Sequence, residues 1–213
     1  AAKANVSASL TEGGGPSQQI KGILNVPLIQ DELGIRIAGI IENKGGWMDQ
    51  PAAGQENIND QDLVNIRVKG LWRPTDTLQV SGMVLVHKND AGAGTFGEDD
   101  NGNYTQAFGG LTTPSIQDDY EIANLTVSYD FGVVQFLSTT NYIGSLKEER
   151  GTTLGVPLNA PPAESHQLEL NRDIETDTIS QELRLTSSEP GPWQWIIGGV
   201  YQDFQAERSQ TSR

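Results

Sequence analysis

Apolar residues never recur at helical spacing over three turns anywhere in this chain, whereas alternation with a period of two recurs along most of it. From Leu63 to Arg73, one face reads Val64, Ile66, Val68, Gly70, Trp72 and the other Asn65, Arg67, Lys69, Leu71, Arg73. The next segment sets Leu78, Val80, Gly82, Val84 and Val86 against Gln79, Ser81, Met83, Leu85 and His87. Ile35, Ile37, Gly39 and Ile41 alternate with Arg36, Ala38, Ile40 and Glu42, and Ala123, Leu125, Val127 and Tyr129 with Ile122, Asn124, Thr126 and Ser128. Leu183 and Leu185 stand against Glu182, Arg184 and Thr186, while the facing of 133–143 and 193–202 stays open. Side chains on an extended strand point alternately to its two faces, so these are strands with one apolar and one polar side. The expected fold is all-β.

The connections sharpen this reading. Links alternate in length: short at 29–33, long at 44–58, short at 74–76, long at 90–118, short at 130–132, long at 146–175, short at 187–192. Consecutive strands are therefore antiparallel up-and-down neighbours, with tight turns at one end and long loops at the other. Pro74-Thr75-Asp76 and Glu189-Pro190-Gly191-Pro192 carry the residues that turns use, because Pro presets φ and Gly accepts a positive one. Trp72, Tyr129, Phe131, Trp193 and Trp195 all lie within a few residues of the short turns. Such rings concentrate where an apolar layer meets water, and Tyr142, Tyr201 and Phe204 would form a second girdle about ten residues along.

Charge and composition exclude several classes. Fourteen Lys and Arg against 28 Asp and Glu give a formal net charge of −14 and a pI near 4.4, contrary to a nucleic-acid binder. With no cysteine there is no disulfide, thiolate metal site or cysteine nucleophile. No stretch approaches the roughly eighteen apolar residues of a spanning helix, nor is there an apolar leader core. A transmembrane β-barrel survives these tests, since only alternate residues face lipid and mean hydropathy stays low, here −0.42.

Particular segments resemble a known family. Asn25 to Ile29 (NVPLI) before Leu33 to Ala38 (LGIRIA), then Gly46 to Asp49 (GWMD) and Arg67 to Thr75 (RVKGLWRPT), resemble the early barrel strands of TonB-dependent outer-membrane receptors. Leu137 to Tyr142 (LSTTNY), Ile179 to Ser187 (ISQELRLTS) and Trp193 to Tyr201 (WQWIIGGVY) follow in matching order, so that the likeness runs from about Val6 to Phe204. The resemblance implies a barrel of about 22 strands around an N-terminal plug that engages TonB. Nine strand candidates are present, the first at 5–11 and the second at 19–26, so residues 1–213 are expected to form part of such a barrel, without plug, TonB-engaging segment or terminal strand. It implies a bacterial outer-membrane setting among lipid and lipopolysaccharide. The activity implied is import of a scarce solute, a ferric siderophore before heme, cobalamin, oligosaccharides or aromatic compounds, driven through the TonB complex.

Candidate sites follow. Arg36, Glu42, Arg67, Lys69, Arg73, Glu182 and Arg184 lie on polar faces and are expected to point into the barrel or at the plug, since a charge facing the bilayer midplane costs about 2–4 kcal/mol. Trp47, Tyr104, Arg150 and His166 are the loop candidates for ligand contact. No catalytic group, metal site or cofactor is expected. Gly92 to Gly97 (GAGTFG) matches a dinucleotide fingerprint, but Glu98-Asp99-Asp100 follows where an apolar helix should. Those acids do not fit the EF-hand spacing and read as a solvated loop. Asp118, Asp119 and Glu121, or Glu148 and Glu149, are the acids a glycosidase would need, and His87 is read as an ordinary hydrogen-bonding side chain. The alternative to a transporter is a soluble all-β carbohydrate-binding module or glycan-active enzyme, which would need its apolar faces packed against a second sheet.

Overall fold

The computed structural model describes residues 1–51, 54–92, 97–98, 104–105, 114–153, 169–188 and 192–212. Its strands are β1 (Ala2–Leu10), β2 (Pro16–Ile29), β3 (Leu33–Lys44), β4 (Gln61–Trp72), β5 (Leu78–Gly92), β6 (Gly97–Glu98), β7 (Tyr104–Thr105), β8 (Ser115–Asp130), β9 (Val134–Thr153), β10 (Glu169–Ser187) and β11 (Ile196–Ser212). Nine of them form one antiparallel sheet in the order β1-β2-β3-β4-β5-β8-β9-β10-β11, an up-and-down meander without crossover. The short β6 and β7 pair with each other inside the connection from β5 to β8. The described residues contain no α-helix.

Register shows how the faces are sorted. Directly opposed residues share a face. Leu24 opposes Ile37, which opposes Val68, then Val84, then Ala123, while Tyr142 opposes Ile179 beyond. The alternating apolar sets of β3, β4, β5, β8 and β10 therefore lie on one side of the sheet. Among the described residues nothing covers that side: Ile37 is 39% exposed, Val84 52%, Leu125 49% and Ile179 47%. The buried apolar side chains among the described residues are Met48, Ile58 and Leu170, none of them part of this face's aliphatic band. At roughly 25 cal/mol per Å² an uncovered apolar sheet of this extent is untenable in water, so another apolar medium or surface must cover it.

The upper edge of the apolar band slants across the register. One continuous polar row runs Gln18, Asn43, Asp62, Asp90, Gln117, Glu148, Asp173, Ser209. On the same face, the first apolar residue toward the short turns comes two positions away on β2, β3 and β4 (Ile20, Ile41, Val64). It comes four away on β5 (Val86), six on β8 and β10 (Ala123, Ile179) and eight on β11 (Tyr201). On β9, Leu146 interrupts the line and Tyr142 resumes it. A fall of six residues over seven strand spacings is about 20 Å in about 34 Å, a slant of roughly 30°. Strands closing a barrel tilt by about 35–45° to its axis, so a level apolar layer must cut across their register in this way.

Several bounds differ from those expected. β1 and β2 begin earlier, at Ala2 and Pro16, and β2 runs on to Ile29. β5 ends at Gly92 and β8 starts at Ser115, so the long link between them is shorter than 90–118. The largest difference lies at 146–175, where β9 continues to Thr153 and β10 starts at Glu169. Residues there are charged on both faces, which erases hydrophobic periodicity, yet the backbone ladder persists because opposite charges meet across it. The short links after β2, β4 and β8 hold as expected: Gly132, at φ +89°, makes the turn after β8, and its N–H donates to Asp130 Oδ1 at 2.8 Å. The link expected at 187–192 runs on to β11 at Ile196, and residues 189–191 lie outside the described residues. The link from Thr11 to Gly15 is also short, although it lies at the long-loop end.

Candidate functional site

The polar face offers the chemistry. One row reads Asn25, Arg36, Lys69, Met83, Asn124, Asn141, Ser180, Gln202 from β2 to β11. Across β8 to β10 it is stitched by side chains: Asn124 Nδ2 donates to Asn141 Oδ1 at 2.7 Å, and Asn141 Nδ2 to Ser180 Oγ at 3.2 Å. His87 stacks on Tyr120 with ring centroids 4.4 Å apart, its Nδ1 lying 3.0 Å from Asn65 Nδ2. That is the ordinary hydrogen-bonded role expected of it.

Toward the short turns the same face holds a hollow of about 780 Å³, lined among others by Arg36, Lys69, Arg73, Leu71, Met83 and Asn124. Arg36, Glu42, Arg67, Lys69, Glu182 and Arg184 all fall on this face by register. Arg73 lies just past β4, where its Nε donates to Gln79 Oε1 at 2.8 Å. Within salt-bridge distance Arg184 has Glu182, at 3.7 Å, whereas among the described residues no carboxylate comes that close to Arg36, Arg67 or Lys69.

The loop end is built differently. The segment between β3 and β4 folds over itself: Asn59 Oδ1 accepts from the N–H groups of Trp47 and Met48 at 2.7 and 2.8 Å, and Asp49 Oδ1 from Asn57 N at 3.0 Å. Met48 and Ile58 are buried there, and Trp47 is half-buried. A parallel bridge from Asp49 to Thr105 ties this cap to β7. Glycine is obligatory at the contact, since a Cβ on Gly46 would lie 1.9 Å from Asn57 O and one on Gly92 1.7 Å from Ile58 O.

Of the loop candidates, Arg150 stands on strand β9 and not in a loop. It pairs with Asp173 of β10 and with Glu148 at 2.9 Å, on the side of the sheet that carries the apolar band further down. The hydrogen bond to Asp173, aided by the charge of Glu148, pushes its guanidinium above the usual range, so it stays charged at any working pH. Tyr104 is placed by its backbone in β7, its side chain and His166 lying outside the described residues, as do the acids Asp99 and Asp100. The carboxylates raised as a hydrolytic pair do not form one. Glu148 faces Arg150, whereas Glu149 faces the other side and bonds Lys147 at 3.1 Å and Arg172 at 3.0 Å. Asp118 likewise lies on the opposite face from Asp119 and Glu121.

At the short-turn end, Tyr129 and Phe131 meet with ring centroids 4.5 Å apart, Trp72 Nε1 donates to Glu32 Oε1 at 3.1 Å, and Trp193 and Trp195 are exposed just before β11. Phe136 opposes both Tyr129 and Leu185 and so joins this group; its facing was not legible because Ser138 and Thr140 follow it on the same side. Phe204 opposes Thr178 on the polar face, apart from Tyr142 and Tyr201.

No protein-family model matches the chain, and no curated protein matches it. Among solved structures the chain is similar to the ferric yersiniabactin uptake receptor FyuA from Yersinia pestis, with a TM-score of 0.74 and 14% sequence identity over 100% of this chain. The match spans 32% of that receptor's chain, and at this identity the likeness is one of fold: a nine-stranded, up-and-down portion of a β-barrel.

Proposed function

We propose that the chain is barrel wall of an outer-membrane active-transport receptor that imports a scarce solute, a ferric siderophore, with energy delivered through TonB. The observation that carries this reading is the uncovered aliphatic face, whose edge crosses the strand register at a slant close to barrel tilt. Lipid would cover Ile37, Val68, Val84 and Ile179, while the polar row from Asn25 to Gln202 would look into an aqueous interior. The similar fold of an uptake receptor supports the same assignment. A soluble glycan-binding module would need a second sheet over those aliphatic residues, and among the described residues none lies there. On this reading the chain is no enzyme, and its surroundings are outer-membrane lipid and lipopolysaccharide.

The test is genetic and physical together. The protein carrying this chain should fractionate with the outer membrane. Its deletion should abolish uptake of at least one radio-iron chelate under iron limitation, and a proton uncoupler should do the same in the parent strain. Recovery in the soluble fraction would end the barrel reading, and unchanged uptake of every ferric chelate offered would end the siderophore reading.

A further inference from the structure

We infer that the polar face of β1 to β4 is an anion track: a wall along which a negatively charged solute is drawn between the long-loop end and the short-turn end. This rests on the import reading above and adds the charge of the solute. The chain as a whole argues the other way, with a net charge of −14, but the fold sorts that charge by face. On the apolar side, the strand cations among the described residues are Lys88 and Arg150, against acids such as Asp62, Asp119, Glu121, Asp173, Asp177 and Glu207. The cations of β1 to β4 all lie on the other side.

They are also spaced as rungs. Arg73 sits by the short turn, the row of Gly34 and Leu71 follows it, Arg36 and Lys69 oppose each other in the row after that, Arg67 and Lys3 share the row beyond, and Lys21 comes one row further. Successive rows on one face are about 7 Å apart, within the roughly 8 Å over which charge is felt at physiological salt. From the Arg36 and Lys69 row to Lys21, an anion leaving one rung therefore already feels the next, whereas Arg73 stands two rows away. Carboxylates bracket the track: Glu42 lies beyond Lys21, and Asp31 and Glu32 lie in the turn below.

A structural reading of these cations is poorer. Two like charges directly opposed across a strand pair, as Arg36 and Lys69 are, destabilise it. Where Glu148 opposes Asp173, Arg150 reaches both carboxylates and relieves the pair, and Glu149 meets Arg172 across the same two strands. Among the described residues no carboxylate comes within salt-bridge distance of Arg36, Arg67 or Lys69, and Arg36 and Lys69 line, with Arg73, a hollow of about 780 Å³ whose turn side holds Asp31 and Glu32.

This chain has no cysteine, so one introduced into it, read against the parent protein as the blank, reports the local potential. Met83 opposes Lys69 and lines the hollow, whereas Ser180 occupies the same row on β10, flanked by Asn141 and Gln202. Met83→Cys and Ser180→Cys are made in the full-length protein in outer-membrane vesicles. Each is reacted with an anionic sulfonate and a cationic trimethylammonium methanethiosulfonate, with rates normalised to a free thiol. The anionic preference at Met83→Cys should exceed that at Ser180→Cys about tenfold. It should collapse to parity when Arg36→Gln and Lys69→Gln are added, or Arg67→Gln if that pair does not assemble. Equal preference at the two sites, faster reaction of the cationic reagent, or protection of Met83→Cys from both reagents, as an acidic protein surface covering the wall would give, overturns the track. The labelling reads charge whether or not the protein transports iron, so its outcome is separate from that of the uptake test.

Discussion

The Tyr142 hydroxyl donates a 2.7 Å hydrogen bond to Asp177 Oδ1, reaching across from β9 to β10 directly over Gly144. Gly144 opposes both Asp177 and Glu121, so a strand residue with no side chain leaves the space the ring needs. A Cβ there would lie 2.7 Å from the hydroxyl and 3.4 Å from Asp177 Oδ1. Gly144→Ala should displace the ring and lower the urea midpoint of unfolding from lipid vesicles, as should Tyr142→Phe. Because both changes break the same bond, the double variant should unfold near the midpoint of the weaker single variant. Additive losses would mean that the two residues act independently.

Val68 and Arg67 are neighbours in sequence and opposites in facing: Val68 is 39% exposed on the aliphatic side, and Arg67 opposes Ala38 and Leu85 on the polar one. Val68→Arg puts a guanidinium near the middle of the apolar band, at a cost of about 2–4 kcal/mol if lipid lies there. Arg67→Val removes a charge from a watery face and should cost much less. Heat-modifiable mobility of the folded protein after expression reports assembly. Equal yields of the two variants would contradict the assigned facing.

What the sequence revealed and what it hid divide along physical lines. Wherever one face is uniformly apolar, as in Ile35-Ile37-Gly39-Ile41 or Leu78-Val80-Gly82-Val84, alternation alone gave the strand and its phase. β9 was opaque because Ser138, Thr140 and Gln181 satisfy one another on the aliphatic side: Gln181 Nε2 donates to Ser138 Oγ at 3.0 Å and Thr140 Oγ1 donates to Gln181 Oε1. A hydrogen-bonded polar cluster carries no hydropathy signal of its facing. The upper parts of β9 and β10 were hidden likewise by charge on both faces, and Arg150, expected in a loop, is held in a strand by Asp173 and Glu148. The sorting of cations to one side of β1 to β4 needed the register as well as the alternation, since it emerges only when neighbouring strands are laid side by side.

The cap between β3 and β4 depends on backbone contacts that admit no side chain. Gly46→Ala would force a methyl to within 1.9 Å of Asn57 O, so the cap must open and release Met48, now 2% exposed. The chain has two methionines, and half-buried Met83 on β5 serves as the internal reference. Under mild peroxide, Met48 should oxidise about tenfold faster in Gly46→Ala than in the parent, with Met83 unchanged, because thioether oxidation follows access to solvent. An unchanged Met48 rate, read by peptide mass spectrometry, would show that the cap tolerates the methyl.

Four tryptophans divide between the two ends of the sheet, which makes them depth gauges. Trp72, Trp193 and Trp195 sit beside the short turns, with Trp193 84% exposed and Trp72 anchored by its Nε1 to Glu32. Trp47 lies in the cap at the other end, its backbone N–H held by Asn59. An indole at an interface keeps its ring in the apolar layer and its N–H wet, so lipid carrying bromine close to the head group should quench Trp72 and Trp195 more than bromine near the chain terminus does. Trp47, beyond the polar row through Asn43 and Asp62, should be quenched by neither. Variants that keep one of these four tryptophans at a time, with Phe at the other three, read against the variant with Phe at all four, separate the signals. Quenching of Trp47 to the same degree as Trp72 would place the apolar layer at the wrong height on these strands, and with it the assignment of the aliphatic band to lipid.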